Sequence, residues 1–281
     1  MFLSSHGSLK ASILAAGFGN GFDDDSSDDL NDDLNDSGEG EGNDAEEMED
    51  FIFFNEREIS ITEDGMSLQA VVNLPDVCRG VIVFAHASGA ARYNPRSLFV
   101  ARALNQAGYA TVLADLLTHD EAQDRTNVFD IDLLASRVTQ IARWVGVHPK
   151  LRNLPLALFG CSTGAAAALK AAAQLGDRVQ AVISQAGRAD LASDILGEVH
   201  APTLLIVGSE DNPVVGMNKW AAEQLPITNE VRIIDGADHM FEEPGAIEDV
   251  VRYARQWLDR FMASHPAWRT TYMRMQQQYI I

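Results

Sequence analysis

Residues 156–169 read Leu-Ala-Leu-Phe-Gly-Cys-Ser-Thr-Gly-Ala-Ala-Ala-Ala-Leu, and this stretch decides the fold. Leu156–Phe159 is continuously apolar, the pattern of a strand covered on both faces. Gly160-Cys161-Ser162-Thr163-Gly164 then sets a serine between two glycines, and Ala165–Ala168 opens a helix of small residues. This is G-x-S-x-G in the strand-to-helix context that the motif requires. A serine on so sharp a turn holds a strained backbone, and side chains at the flanking positions would clash, hence the glycines. The alanines let the helix lie close to the sheet. Its N-terminal N–H groups and dipole favour negative charge developing beside Ser162.

Working outward, strands and helices alternate. Arg57–Thr62 and Met66–Leu74 flank Glu63-Asp64-Gly65, a hairpin turn with glycine where one is needed, and predict an antiparallel opening pair. Val81–Ala85 and Ala110–Ala114 are buried strands, and Ser97–Ala107 between them carries helical spacing and stops at Gly108. Leu133–Val145 has Leu134, Val138, Ile141 and Val145 on one stripe. Further strands are predicted at Val179–Ser184, Thr203–Val207 and Val231–Ile234, and a long helix at Ile247–Met262. Strands separated by helices of this length give an α/β fold with a doubly wound, mostly parallel sheet. Such sheets carry their sites at the carboxyl ends of the strands, so the residues just after each strand are the informative ones.

Serine is a weak nucleophile that needs a base, itself oriented by an acid. The turn after Thr203–Val207 reads Gly208-Ser209-Glu210-Asp211-Asn212-Pro213 and offers Asp211 as the acid, with its neighbour Glu210 as the fallback. The loop after Val231–Ile234 offers His239 as the base. Of the other histidines, His6 lies in the N-terminal tail, and His148, His200 and His265 sit in loops with no strand before them. His86 and His119 follow strands but suit loop support or exposure better. An oxyanion needs two N–H donors. The amide of Thr163 is one candidate, and the loop after Val81–Ala85, His86-Ala87-Ser88-Gly89, supplies Ser88 as the second, with Ala87 next.

The order Ser162, Asp211, His239 is similar to that of the α/β-hydrolase superfamily. His86-Ala87-Ser88-Gly89-x-x-Arg92-x-x-Pro95-Arg96, Gly187-Arg188-x-Asp190-Leu191 and Asp238-His239-x-Phe241-Glu242-Glu243-Pro244-Gly245 resemble segments of its dienelactone hydrolase-like branch. The resemblance covers residues 57–262 and implies the α/β-hydrolase fold and a serine hydrolase acting on carboxylic esters. Two departures stand out. Dienelactone hydrolase proper uses a cysteine nucleophile, whereas the elbow centre here is Ser162, and Ala87 replaces the usual glycine. Cys161 is expected to point inward as an inert thiol. Only residues 185–202 separate two strands where lipid-directed hydrolases insert a lid, so no sizeable lid is expected and small or moderately polar esters are the expected substrates. The charged loop Leu116–Asp130 is either a solvated connection or part of the pocket rim. Two other outcomes fit the same residues: an acyltransferase using the same acyl-enzyme, and a non-catalytic binding protein of this fold.

Composition bounds the remainder. The net charge is −20, of which residues 1–50, with ten Asp, five Glu and one Lys, contribute −14, leaving −6 for residues 51–281. Residues 1–50 are expected to be a disordered acidic tail, 51–264 the α/β-hydrolase domain, and 265–281 a C-terminal extension docked on the core. The acid excess disfavours nucleic acid and suits a basic protein as partner of the tail. Asp33-x-Asn35-x-Ser37-Gly38 with Asp44 in twelfth place lacks the bidentate glutamate and flanking helices of a calcium loop. No run reaches the length of a membrane span, and residues 1–20 are too weakly charged and too briefly apolar for a secretory leader. Cys78 and Cys161 form neither a disulfide framework nor a zinc set, so a reducing, cytoplasmic setting is expected, with no metal and no cofactor.

Overall fold

A computed structural model describes residues 56–63, 65–86 and 91–262. The expectations for the acidic tail, for the C-terminal extension and for Ser88 and Ala87 lie outside the described residues. The eight strands among them are β1 (Glu56–Glu63), β2 (Met66–Asn73), β3 (Gly80–His86), β4 (Tyr109–Ala114), β5 (Leu156–Cys161), β6 (Val179–Gln185), β7 (Thr203–Gly208) and β8 (Asn229–Ile234). They form one sheet in the order β1-β2-β4-β3-β5-β6-β7-β8. The β1–β2 hairpin is antiparallel and β2 also runs antiparallel to β4, while every later pair is parallel.

Among the described residues five helices cover the sheet: α1 (Pro95–Gln106), α2 (Ile131–Val147), α3 (Thr163–Leu175), α4 (Asn212–Gln224) and α5 (Ala246–Met262). The central strands are buried on both faces, which is why they read as unbroken apolar runs. Val81, Val83 and Ala85 of β3 face α2 and α3, joining Leu134, Val138 and Leu169. Ile82 and Phe84 face the opposite layer, with Leu104 of α1 and Val250, Trp257 and Leu258 of α5. Phe84 stacks on Phe159 of β5 with ring centroids 4.9 Å apart.

Helix α4 is not predicted by the sequence reading, which treats Pro213 as shaping a turn. Pro213 instead occupies the first turn of α4, where its missing N–H costs nothing. The connection between β6 and β7 holds only two short 3-10 turns, Ala189–Ala192 and Leu196–Glu198, in place of the one short helix expected over Leu191–Leu196. No sizeable lid exists among the described residues. The loop after β4 buries Leu116 and Leu117 and brings Val128 to the cavity described below, so it forms part of the rim.

Candidate active site

Ser162 sits between β5 and α3 at φ 51°, in the left-handed region that non-glycine residues avoid. Both neighbouring glycines are sterically required. A Cβ at Gly160 would lie 2.4 Å from the Ala165 Cα, and one at Gly164 would lie 2.1 Å from the Ala85 carbonyl oxygen. Absent side chains let α3 press against β3 and β5 at the turn itself. The backbone of Ser162 is held from both sides: its N–H donates to the Gln185 carbonyl at 3.1 Å, and its carbonyl accepts from Ala165 at 3.1 Å and Arg188 at 3.0 Å.

The Asp211 Oδ2 and His239 Nδ1 atoms are 2.6 Å apart. A carboxylate can only accept, so Nδ1 donates, which in a neutral imidazole leaves the lone pair on Nε2. The Asp211 side chain is 13 % exposed and that of His239 40 %, so the acid is shielded while the imidazole opens outward. The segments carrying these residues are fastened together. Ser209 N–H donates to the Ile234 carbonyl at 3.0 Å, Glu210 N–H to the Ala237 carbonyl at 3.0 Å, and Gly236 N–H to Ser209 Oγ at 2.9 Å. Gly208 makes this approach feasible, since a Cβ there would lie 2.2 Å from the Ala237 carbonyl oxygen. Glu210 faces outward and its Oε1 accepts from Ser209 Oγ at 3.2 Å, which leaves Asp211 as the residue on the imidazole.

The residues around His239 set the loop that presents it. Asp238 Oδ1 accepts from the N–H groups of Met240 at 2.6 Å and Phe241 at 3.1 Å, and Glu243 Oε1 accepts from the Asp238 N–H at 3.2 Å. Phe241, at φ 53°, is buried in the core and anchors the turn. Arg96 of α1 donates to the Met240 carbonyl at 3.2 Å and to Glu242 at 3.0 Å, tying the loop to the N-terminal end of α1. The Asp-His-x-Phe-Glu-Glu-Pro-Gly segment is therefore a scaffold for one imidazole.

Ser162, Thr163 and His239 line a single cavity of about 360 Å³ at the carboxyl ends of the strands. Its other walls include His86, Asn94, Arg96, Ser97, Gln185 and Val128. Thr163 opens α3, so its N–H has no partner within the helix and is available to a ligand oxygen. His86 lines the wall, and burial, followed by the Arg96 charge, holds its pKa below the ordinary histidine range. Cys161 also lines the cavity, while packing against the core layer that contains Phe84 and Phe159. Burial nonetheless pushes its thiol up to about 12, so it is not a ready thiolate. Arg96, Asn94 and Gln185 escape assignment as site residues from sequence. Their signals are faint: Asn94-Pro95 at a helix start, and a glutamine closing an otherwise apolar strand. Among the described residues no cluster of His, Cys, Asp and Glu is placed to hold a metal, and no helix is long and apolar enough to cross a membrane.

Comparison with known proteins agrees with this architecture. A dienelactone hydrolase from Anabaena variabilis is 44 % identical, with a TM-score of 0.72, covering 74 % of this chain and 98 % of that one. An α/β serine hydrolase without a lid from Xanthomonas campestris is 23 % identical with a TM-score of 0.62, covering 75 % and 97 %, and shows the fold alone. Two Mycobacterium tuberculosis proteins, each named "putative phosphoribosyl transferase", are 45 % identical over 202 residues, which is 72 % of this chain and 46 % of theirs. The chain thus spans about half the length of the curated relatives it matches. The family profile for dienelactone hydrolases matches residues 68–267, and the chain belongs to the dienelactone hydrolase family.

Proposed function

We propose that the protein is a serine hydrolase of carboxylic esters, with Ser162 as nucleophile, His239 as base and Asp211 as the group that orients it. The observation carrying this reading is the left-handed Ser162 in one cavity with an imidazole whose far nitrogen is hydrogen-bonded to a shielded carboxylate. His239 Nε2 takes the hydroxyl proton as Ser162 Oγ attacks the carbonyl, and Asp211 steadies the imidazolium that forms. The Thr163 amide receives the oxyanion, aided by the α3 dipole. His239 returns the proton to the leaving alcohol, then deprotonates a water that releases the acyl group from Ser162.

The cavity volume, the polar walls at Asn94, Arg96 and Gln185, and the absence of a sizeable lid among the described residues support small or moderately polar substrates. The phosphoribosyl transferase name belongs to proteins of which this chain matches less than half. Replacement Ser162→Ala should remove turnover of short aryl esters by ~10⁴-fold or more, as single losses from such triads do. A fluorophosphonate probe should label Ser162 in the wild type. A fully active Ser162→Ala variant would show that the nucleophile lies elsewhere.

A further inference from the structure

Asn218 of α4 is fully buried, and its side chain reaches out of its own helix. Its Nδ2 donates to the Val214 carbonyl at 2.9 Å and to the Gly187 carbonyl at 2.7 Å. Gly187 belongs to the short segment after β6 that holds the Ser162 backbone. Gln185 accepts the Ser162 N–H, and Arg188 N–H donates to the Ser162 carbonyl. Between them Ala186 lies at φ 45° with its N–H donated to the Ile206 carbonyl at 2.8 Å. A Cβ at Gly187 would lie 1.9 Å from Ser184 Oγ, so only glycine lets the segment pass this close to β6. The Arg188 guanidinium meets the Asp190 carboxylate through two bonds of 2.8 Å. Residues 185–188 therefore form a strained clamp around a strained serine, and such conformations persist only where neighbours over-determine them.

The other end of α4 matters equally. Its N-cap is Asp211, whose carbonyl accepts the Val215 N–H at 2.9 Å. One helix thus carries the carboxylate that orients His239 and, two turns on, the amide that fixes the clamp on Ser162.

We propose that Asn218 is a positioning residue, bracing residues 185–188 against α4 so that the Ser162 elbow and the Asp211–His239 pair keep one relative placement. This rests on Ser162 being the nucleophile. It assigns a task to the Gly187-Arg188-x-Asp190 segment, which otherwise has none in the reaction.

Asn105 provides a matched control. It is buried, and its Nδ2 likewise donates to two carbonyls, Asn73 at 3.3 Å and Tyr109 at 3.1 Å, at the opposite end of β4 from the site. Asn218→Asp and Asn105→Asp each remove the two N–H donors at constant size. For both, thermal unfolding, the rate of Ser162 labelling by a fluorophosphonate, and kcat and KM for a short aryl ester would be measured. Both variants should melt earlier. Asn218→Asp alone should slow labelling and kcat by about tenfold to a hundredfold, the effect of displacing a reacting group by under an ångström, with KM little changed. Asn218→Ser, keeping one donor and little bulk, should slow labelling likewise and replaces Asn218→Asp if that variant does not fold. Labelling of the folded Asn218 variants at the wild-type rate, or an equal slowing in Asn105→Asp, would overturn the assignment. A wild type that takes no label at Ser162 would instead remove the nucleophile reading, and this one with it.

Discussion

Gly208→Ala is the sharpest perturbation available, because it acts where the acid-bearing turn and the histidine-bearing loop touch. The added Cβ would meet the Ala237 carbonyl oxygen at 2.2 Å and that of Asp238 at 2.5 Å, both backbone atoms, whereas ordinary contact begins near 3.4 Å. The two segments must therefore part by about 1.2 Å, the shortfall between 2.2 and 3.4 Å. The 2.6 Å contact between Asp211 and His239 stretches beyond the reach of a hydrogen bond if that separation is transmitted fully. The Glu210–Ala237 bond, at 3.0 Å, is strained with it. Overpacking of this kind costs roughly 1–3 kcal/mol of stability. Loss of about an ångström in placing the base costs ~10²-fold in rate. The assay pairs thermal unfolding with kcat/KM for a short aryl ester, below the melting transition. Activity should fall far more than the folded fraction. A Gly208→Ala enzyme with wild-type kcat/KM would mean that the two segments are not coupled as argued.

Other expectations follow from the same geometry. Gly216 lies exposed in α4 and an added Cβ there would meet nothing within 4 Å, so Gly216→Ala should stabilise the fold by roughly 0.5–1 kcal/mol in denaturant melts and leave the rate alone. Asp211→Asn should lower kcat by ~10⁴-fold by favouring the wrong imidazole tautomer, whereas Glu210→Ala should be nearly silent in the same ester assay. Cys161, with its thiol raised from 9.0 to about 12 chiefly by burial, should resist iodoacetamide at pH 8 until the protein is unfolded. The folded value exceeds the unfolded one, so the stability from this neutral thiol is complete below about pH 9 and is lost as pH climbs toward 12. Cys161→Ala should flatten the alkaline limb of the stability curve measured across that window.

The turn that carries Ser162 is legible in the sequence because it is local. An unbroken apolar strand, two obligatory glycines and four alanines lie in one stretch, and each has a short-range steric reason. Chain order and strand ends pick out Asp211 and His239, which the fold brings to 2.6 Å from each other. Helix α4 is not, because only Val214, Asn218 and Ala221 are buried on it and one of these is polar, so its apolar stripe is faint. Gly216 within it weakens the pattern further, and the informative pair is Asp211 before Pro213, an N-cap followed by a first-turn proline. The cavity walls are illegible for a different reason. Arg96 reaches the His239 loop across 144 positions of sequence, a proximity that only the packed fold creates.

The brevity of the chain between β6 and β7 has a bearing on traffic through the site. With no flap to swing from that connection, the proposed reaction should need no gating step there of the kind that limits many covered enzymes. On the proposed mechanism, bulk solvent should reach the acylated serine as readily as any alcohol does. Its sheer abundance would then tilt the kinetic partition toward cleavage over exchange.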